Sequence, residues 1–487
     1  MKLLEPALLR SQAFVGGRWI DADSGATFRV LDPATGEVLA RVPRLGVAET
    51  RRAVEAAAAA QSGWRARTAR ERGQILRRMA ELCLENEADL AMLITREEGK
   101  PLAEARGEVA YAASFLEWFA EEGRRVYGDT IPAHRPDARL LVVKEPIGVG
   151  AAITPWNFPA AMITRKIGPA LAAGCAVVVK PAEATPLTAL ALAELAARAG
   201  LPAGVLGVVT GDAEDAPAIG AELCASRDVR CLSFTGSTAV GKLLMAQCAG
   251  TLKRVCLELG GNAPFLVFDD ADLGAAVEGA LLSKYRNSGQ TCVCANRILV
   301  QDGIHDRFVA ALAERVRAMK VGPGVEPGVA IGPLIDEEGF AKVERHVRDA
   351  TDRGARCLLG GRPHPLGGSF YEPTLLVGVT PEMAMSNEET FGPVAGITRF
   401  RDEAEAVHLA NDTPFGLAAY LYARDAARLW RVAGALECGM VGINTGLVSA
   451  AEAPFGGTKE SGLGREGSRY GIEEWTEVKY LCWGGLG

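Results

Sequence analysis

Five histidines are all that 487 residues contain, and no two stand at the spacing of metal ligands. No Cys-x-x-Cys occurs either, so neither a zinc site nor a histidine-based triad is expected, and no metal is assigned. Positive charge is in deficit. Lys and Arg number 53 against 60 Asp and Glu, and the formal charge of −7 lacks the basic excess of a general nucleic-acid binder. Long apolar runs are also missing. Candidates such as Ala176–Val179 are strand-sized, and none reaches membrane-spanning length. Glu5 and Pro6 interrupt any signal-peptide core after Met1-Lys2-Leu3-Leu4, and no leader is visible, so a cytoplasmic protein is expected. The 11 cysteines form no framework, which fits free thiols in a reducing compartment.

What is present suffices for two or three domains, because a chain of this length outgrows a single core. Residues 14–50 read as strands and turns, and from Val47 to about Glu122 the pattern is helical. The Arg65–Arg78 basic cluster is followed at once by glutamates and reads as a solvated helix face. Arg124 to Val143 is extended and half apolar. From 147 the rhythm alternates, with strands expected at Gly148–Thr154, Ala176–Lys180, Val205–Thr210, Arg230–Thr235 and Val255–Leu259. Helices are expected at Ala160–Ala173, Pro186–Ala199, Asp212–Leu223 and Ser237–Ala249, with Thr185 capping the helix that Pro186 opens. A second such rhythm runs from 264 to about 445, with strands at Phe265–Phe268, Arg297–Val300, Ala418–Tyr422 and Met440–Asn444. Alternation of this kind implies parallel sheets covered by helices, with ligands at the carboxyl ends of the strands. The tail Tyr470–Trp483 alternates enough to be a strand.

The chemistry concentrates in two stretches. Ser288-Gly289-Gln290-Thr291-Cys292-Val293-Cys294-Ala295-Asn296-Arg297 places two cysteines one residue apart in a segment too polar for ordinary core. Leu257-Glu258-Leu259-Gly260-Gly261-Asn262 places one carboxylate on an apolar strand that runs into a glycine break. Glu258 lies 292 − 258 = 34 positions before Cys292, so a nucleophilic thiol and a base can come from neighbouring elements. Burial on that strand should raise the Glu258 pKa towards a useful base; a structural ion pair is the plainer alternative.

A Gly-x-Gly-x-x-Gly text match occurs at Gly462–Gly467, but a Pro-Gly loop rather than a strand precedes it, and it reads as a loop near the active-site mouth. Three other pieces make a better nucleotide site. Phe234-Thr235-Gly236-Ser237-Thr238-Ala239-Val240-Gly241 is a strand end opening into a helix, where backbone N–H groups hold a pyrophosphate. Val179-Lys180-Pro181-Ala182-Glu183 puts a lysine at a strand end with a carboxylate three residues on. Thr154-Pro155-Trp156-Asn157-Phe158-Pro159 ends the first strand in a stiff aromatic turn. Each taken singly reads equally well as surface lysine, helix cap or core; three in order, each at an expected strand end, favour the site.

Together these stretches resemble the aldehyde dehydrogenases over essentially the whole chain. The resemblance implies a doubly wound NAD-binding domain (1–123 and 147–258), a doubly wound catalytic thiol domain (259–446), and a β-arm (124–146 and 467–487) that joins partner subunits in a homodimer or homotetramer. It implies that Cys292 attacks the aldehyde, that Asn157 and the Cys292 N–H hold the oxyanion, and that Glu258 activates water against the thioester. It assigns Thr154, Pro155, Trp156, Gly236, Ser237, Gly241 and Leu259 to the cofactor, Lys180 and Glu183 to the adenosine ribose, and Glu389 and Phe391 to the nicotinamide side. A carboxylate at Glu183 hydrogen-bonds a free ribose and repels a ribose phosphate, so NAD is expected over NADP, with Lys180 able to soften the repulsion.

Within the family, Ser283–Cys294, Asn444–Ser449 and the tail from Gly462 to Tyr480 most resemble succinate-semialdehyde dehydrogenases. Arg165 and Arg286 then match the binders of the distal carboxylate, with Ser449 beside them. Some members carry a serine immediately after this position, where this chain has Ala450, so glutarate semialdehyde, one methylene longer, is the close competitor. Other readings are a dehydrogenase of neutral aldehydes and a silent binding protein on the same fold; intact Cys292, Glu258 and Asn157 oppose the last. A CoA-acylating variant is disfavoured by the presence of Glu258. Cys294 is expected to form a strained, readily reduced disulfide with Cys292, an off-switch.

Overall fold

The computed structural model describes residues 2–486, and two open sheets organise it. The first has eight strands in the order Arg18–Ile20, Ala13–Val15, Leu206–Val208, Val177–Lys180, Val149–Ile153, Val229–Thr235, Arg254–Glu258, Gly462–Leu463. The five central strands are parallel, and antiparallel partners close both edges. From Val149–Ile153 the chain winds outward through Val177 and Leu206, then crosses back to Val229 and winds the other way through Arg254. That reversal opens a crevice beyond the carboxyl ends of Val149–Ile153 and Val229–Thr235. Helices cover both faces, which is why Val177–Lys180 is buried throughout rather than alternating. Helix Ala161–Ala173 is buried along its whole length for the same reason.

The second sheet has seven strands, ordered Arg356–Leu359, Thr374–Val377, Val394–Phe400, Ala295–Gln301, Ala263–Val267, Ala418–Tyr422, Met440–Ile443. All its pairings are parallel except that of Arg356–Leu359. Both sheets fit the expected doubly wound α/β class. A third, antiparallel sheet joins Asp129–Ile131, Arg139–Pro146 and Thr476–Trp483, the last two in register from Thr476↔Pro146 to Trp483↔Arg139. No helix among the described residues is long and apolar enough to cross a membrane.

Two expectations need correction, and two strands of the second sheet go unread in the sequence. Tyr470–Glu473 is a helical turn, and the tail strand begins only at Thr476. The side chain of Thr185 does not cap helix Pro186–Arg198; the Leu187 and Thr188 N–H groups donate instead to the Glu97 carboxylate at 2.7 and 2.8 Å. A carboxyl from a distant helix, raised by burial to about 8, accepts these N–H groups in place of the hydroxyl, and no local pattern reveals it. Thr374–Val377 and Val394–Phe400, central to the second sheet, escape the sequence reading because glycines and prolines around them break the rhythm. The Gly462–Gly467 match does lie in a loop: Gly462–Leu463 pairs antiparallel with the end of Arg254–Glu258, and no dinucleotide helix follows.

Candidate active site

Between the two sheets lies a cavity of about 1010 Å³. Its wall includes Pro155, Trp156, Asn157, Arg165, Gly236, Ser237, Leu259, Arg286, Cys292, Glu389, Phe391 and Ser449, which the sequence brought forward from widely separated stretches. Strand ends and helix starts of the first sheet supply the Pro155, Gly236 and Leu259 groups; the loop before Ala295–Gln301 supplies Cys292.

The backbone just before Cys292 is strained. Asn287, Ser288 and Gly289 take φ values of 51°, 55° and 76°, a left-handed run that only glycine adopts freely. Buried hydrogen bonds hold it. The Asn287 amide donates to Glu98 Oε1 at 2.8 Å and to Asn157 O at 3.0 Å, the Asn287 N–H donates to Glu104 Oε2 at 2.7 Å, and Ser288 Oγ donates to Gly332 O at 3.0 Å. A Cβ on Gly289 would stand 2.1 Å from Gly392 O, so the close approach also needs glycine.

Asn157 sits in the same net. Lys100, buried, donates to Asn157 O at 2.7 Å and to Glu108 Oε2 at 2.6 Å, while Glu108 Oε1 accepts from the Ala160 N–H at 2.8 Å. Asn157 Nδ2 spends one hydrogen on Gln290 O at 3.0 Å and keeps the other. Among the described residues the Cys292 N–H has no acceptor. One side-chain donor and one backbone donor therefore remain beside the sulfur, as an oxyanion requires.

Burial pushes the Cys292 thiol up to about 12; Arg165 and Arg286 pull it down, and Glu389 and Glu258 push it further up. Burial thus favours the thiol form at rest, with the two arginines as the groups that favour the thiolate. Glu258 ends its strand just behind the wall, buried, with Oε2 unpartnered. Burial, then the nearby Glu466, hold its carboxyl well above the usual range, and Arg165 and Lys166 only partly oppose this. Glu389 accepts from the Gly261 N–H at 3.2 Å, and its burial raises it to about 7. Phe391, at φ 56°, meets Trp156 edge to face at 5.5 Å.

The crevice fits a dinucleotide. Ser237 caps helix Thr238–Cys248 by accepting from the Val240 N–H, and the first turn leaves N–H groups facing out. Gly241 lets this helix lie against Leu259, where a Cβ would come within 2.4 Å. The buried hydroxyls of Thr154 and Thr235 have no partner. Lys180 and Glu183 lie off the cavity wall and pair with each other at 3.1 Å.

The two arginines differ. Arg165 is buried, with Nη2 2.6 Å from Glu466 Oε2 and its guanidinium over Phe455 at 3.8 Å, so its charge already has a partner. Arg286 is half-buried, stacks near Phe158 at 5.4 Å, and has neither an ion pair nor a side-chain hydrogen bond among the described residues. Cys294 faces away from the cavity. Its buried sulfur lies 3.2 Å from Lys284 Nζ and 3.3 Å from Lys284 O, and both it and Cys292 are free thiols. A Cys292–Cys294 disulfide would require Cys294 to leave Lys284 first.

Sequence reasoning missed Glu104, Gly107, Glu108 and Tyr111, all on helix Leu102–Glu122 and all on the cavity wall. Their spacing of i, i+3, i+4, i+7 is one helix face, a mainly polar stripe on an otherwise apolar helix, and that was the available signal. Among the described residues no cluster of three His, Cys, Asp or Glu is placed to hold a metal.

The profile of the aldehyde dehydrogenase family matches residues 19–481. A glutarate-semialdehyde dehydrogenase of Pseudomonas aeruginosa is 62% identical over 486 residues, covering 100% of both chains. A succinate-semialdehyde dehydrogenase (NADP(+)) of Escherichia coli is 61% identical, covering 99% of this chain and 100% of its own. The crystal structure of a succinate-semialdehyde dehydrogenase from Burkholderia pseudomallei superposes with a TM-score of 0.98 at 63% identity, covering 99% of this chain and 100% of that one.

Proposed function

Because the chain belongs to the aldehyde dehydrogenase family, we propose that it oxidises succinate semialdehyde to succinate, with NAD favoured over NADP. The family uses NAD(P). Trp156, Glu389 and Phe391 would hold the nicotinamide, Gly236, Ser237 and Gly241 the pyrophosphate, and Lys180 and Glu183 the adenosine ribose of a bound NAD(P), which would serve as the hydride acceptor. Cys292 gives up its thiol proton to water in the cavity as its sulfur adds to the aldehyde carbon, Asn157 with the Cys292 N–H receives the oxyanion, and collapse of that adduct with loss of hydride leaves the acyl group on the sulfur as a thioester. Glu258 takes a proton from water, which hydrolyses the resulting Cys292 thioester and releases the acid.

The observation that carries the substrate is Arg286, a guanidinium on the wall shared with Cys292 that makes no ion pair among the described residues, although its charge reaches the Glu104 carboxylate. A planar fork left open suits a second carboxylate. Arg165 and Ser449 line the same wall. Glutarate semialdehyde is the second reading, favoured by Ala450 beside Ser449 and by the Pseudomonas relative. The Glu183 carboxylate, paired with Lys180, favours a free ribose, whereas the Escherichia relative is named for NADP.

The first sheet with residues 1–123 and 147–258 is the proposed cofactor domain, 259–446 the catalytic domain, and 124–146 with 467–487 the arm. Val478, Tyr480 and Trp483 are exposed along the arm sheet, an apolar surface suited to a second copy in a homodimer or homotetramer. The odd cysteine count suits the cytoplasm. A steady-state panel of succinate semialdehyde, glutarate semialdehyde and propanal with both cofactors tests the reading. Preference for propanal overturns it, and preference for glutarate semialdehyde selects the second reading.

A further inference from the structure

Helix Leu102–Glu122 presents Tyr111 to the cavity between groups that bear on the distal end of a substrate. Its ring packs edge to face on Phe115 at 4.8 Å, a contact that a phenylalanine would make equally well. The hydroxyl is another matter. It is buried and makes no close hydrogen bond, its one polar neighbour within reach being the Ser449 hydroxyl, which can turn either way. Buried hydroxyls are nearly always well satisfied, so one left without a close bond in a cavity wall marks a place kept for a ligand. Among the described residues, the unpartnered buried polar side-chain atoms on the cavity wall belong to Tyr111, Thr235 and Arg165. Thr235 ends a strand on the cofactor side. Tyr111 is grouped with Arg165, Arg286 and Ser449, four side chains brought together from four separate elements.

The geometry points to Tyr111 as a specificity-determining donor for the ω-carboxylate of the aldehyde, completing a site in which Arg286 supplies the free charge. This rests on the acid-aldehyde reading above. The chemistry is consistent throughout. Burial raises the Tyr111 phenol, and the two arginines and the Ser449 hydroxyl only partly offset this, so it stays a neutral O–H donor. A donor is what a carboxylate needs once Arg286 holds one of its edges. Arg165 is partly committed to Glu466 at 2.6 Å. Ala450 offers no hydroxyl next to Ser449. Tyr111 therefore supplies, beside Ser449, a hydrogen bond that the loop lacks.

The test is Tyr111→Phe, which keeps the ring and removes only the oxygen. kcat/KM for succinate semialdehyde should fall about tenfold or more, mainly through KM, the loss expected for one hydrogen bond to a charged acceptor. The value for propanal should be unchanged, and the thermal midpoint of the free enzyme should stay level or rise, because an orphan polar group has gone. A purely structural hydroxyl would lower the midpoint and reduce both substrates alike. An equal loss on both aldehydes, or no loss on either, overturns the assignment while the wild type still prefers the acid aldehyde. A wild type with no such preference overturns the acid-aldehyde reading and this inference with it.

Discussion

Replacing Arg286 with alanine separates a carboxylate grip from general packing. The guanidinium is half-buried and free of any hydrogen-bond acceptor or ion pair among the described residues, so removing it breaks no direct contact and only withdraws a neighbouring charge from Glu104. The loss is then confined to the substrate. A bidentate arginine–carboxylate pair is charge-assisted and worth more than a neutral hydrogen bond. Each hydrogen bond to a charged group contributes about 1.5–3 kcal/mol. Because the free guanidinium is already partly solvated, a net of about 2–3 kcal/mol is the reasonable figure, which is roughly 30- to 140-fold in kcat/KM. Propanal has no second carboxylate and loses only what the Phe158 stack contributed to the shape of the wall, at most about threefold. The assay is steady-state kinetics on the two aldehydes with NAD, with thermal unfolding run alongside; the midpoint should barely move. Arg165→Ala is the instructive contrast. It strips one partner from buried Glu466, so the midpoint should drop along with activity on every aldehyde. If Arg286→Ala costs both substrates the same factor, the carboxylate is not held there and the substrate assignment fails.

Glu258→Gln should leave a stoichiometric burst of NADH and then slow turnover about 10²- to 10⁴-fold, because water is no longer activated. The wild-type rate should fall as pH drops through the Glu258 pKa, since only the carboxylate accepts a proton; that pKa is held up by burial and Glu466, so the acid limb should lie well above the ordinary carboxylate range and vanish in the glutamine variant. Glu183→Ala removes the charge facing a ribose phosphate and frees Lys180, which should improve kcat/KM with NADP by about 5- to 30-fold, or roughly 1–2 kcal/mol; unchanged cofactor preference would place the selectivity elsewhere. Gly289→Ala adds a Cβ 2.1 Å from Gly392 O at a positive φ, so the unfolding midpoint should fall by an amount matching about 1–3 kcal/mol, and alkylation of Cys292 by iodoacetamide should change with it.

The first sheet was legible because its strands and helices follow one another without interruption, and each buried strand reads as an unbroken apolar run. The second sheet was half legible: Phe265, Ile298 and Tyr420 announce their strands, whereas Thr374–Val377 and Val394–Phe400 lie among turns and take their stability from neighbours distant in sequence. The nucleophile and the base were legible because each needs an unusual local setting, a polar turn or a glycine break. What no local pattern encodes is who pairs with whom. Arg165 and Arg286 look alike in sequence, yet Glu466, 301 positions after Arg165 (466 − 165), engages one charge and leaves the other open. Glu97 caps a helix 90 residues away in the same manner. The consequence is functional. In a cavity between two sheets, the groups left unpaired by long-range partners are the ones available to substrate, so Arg286 and the Tyr111 hydroxyl become informative only after every other buried charge and donor has been accounted for.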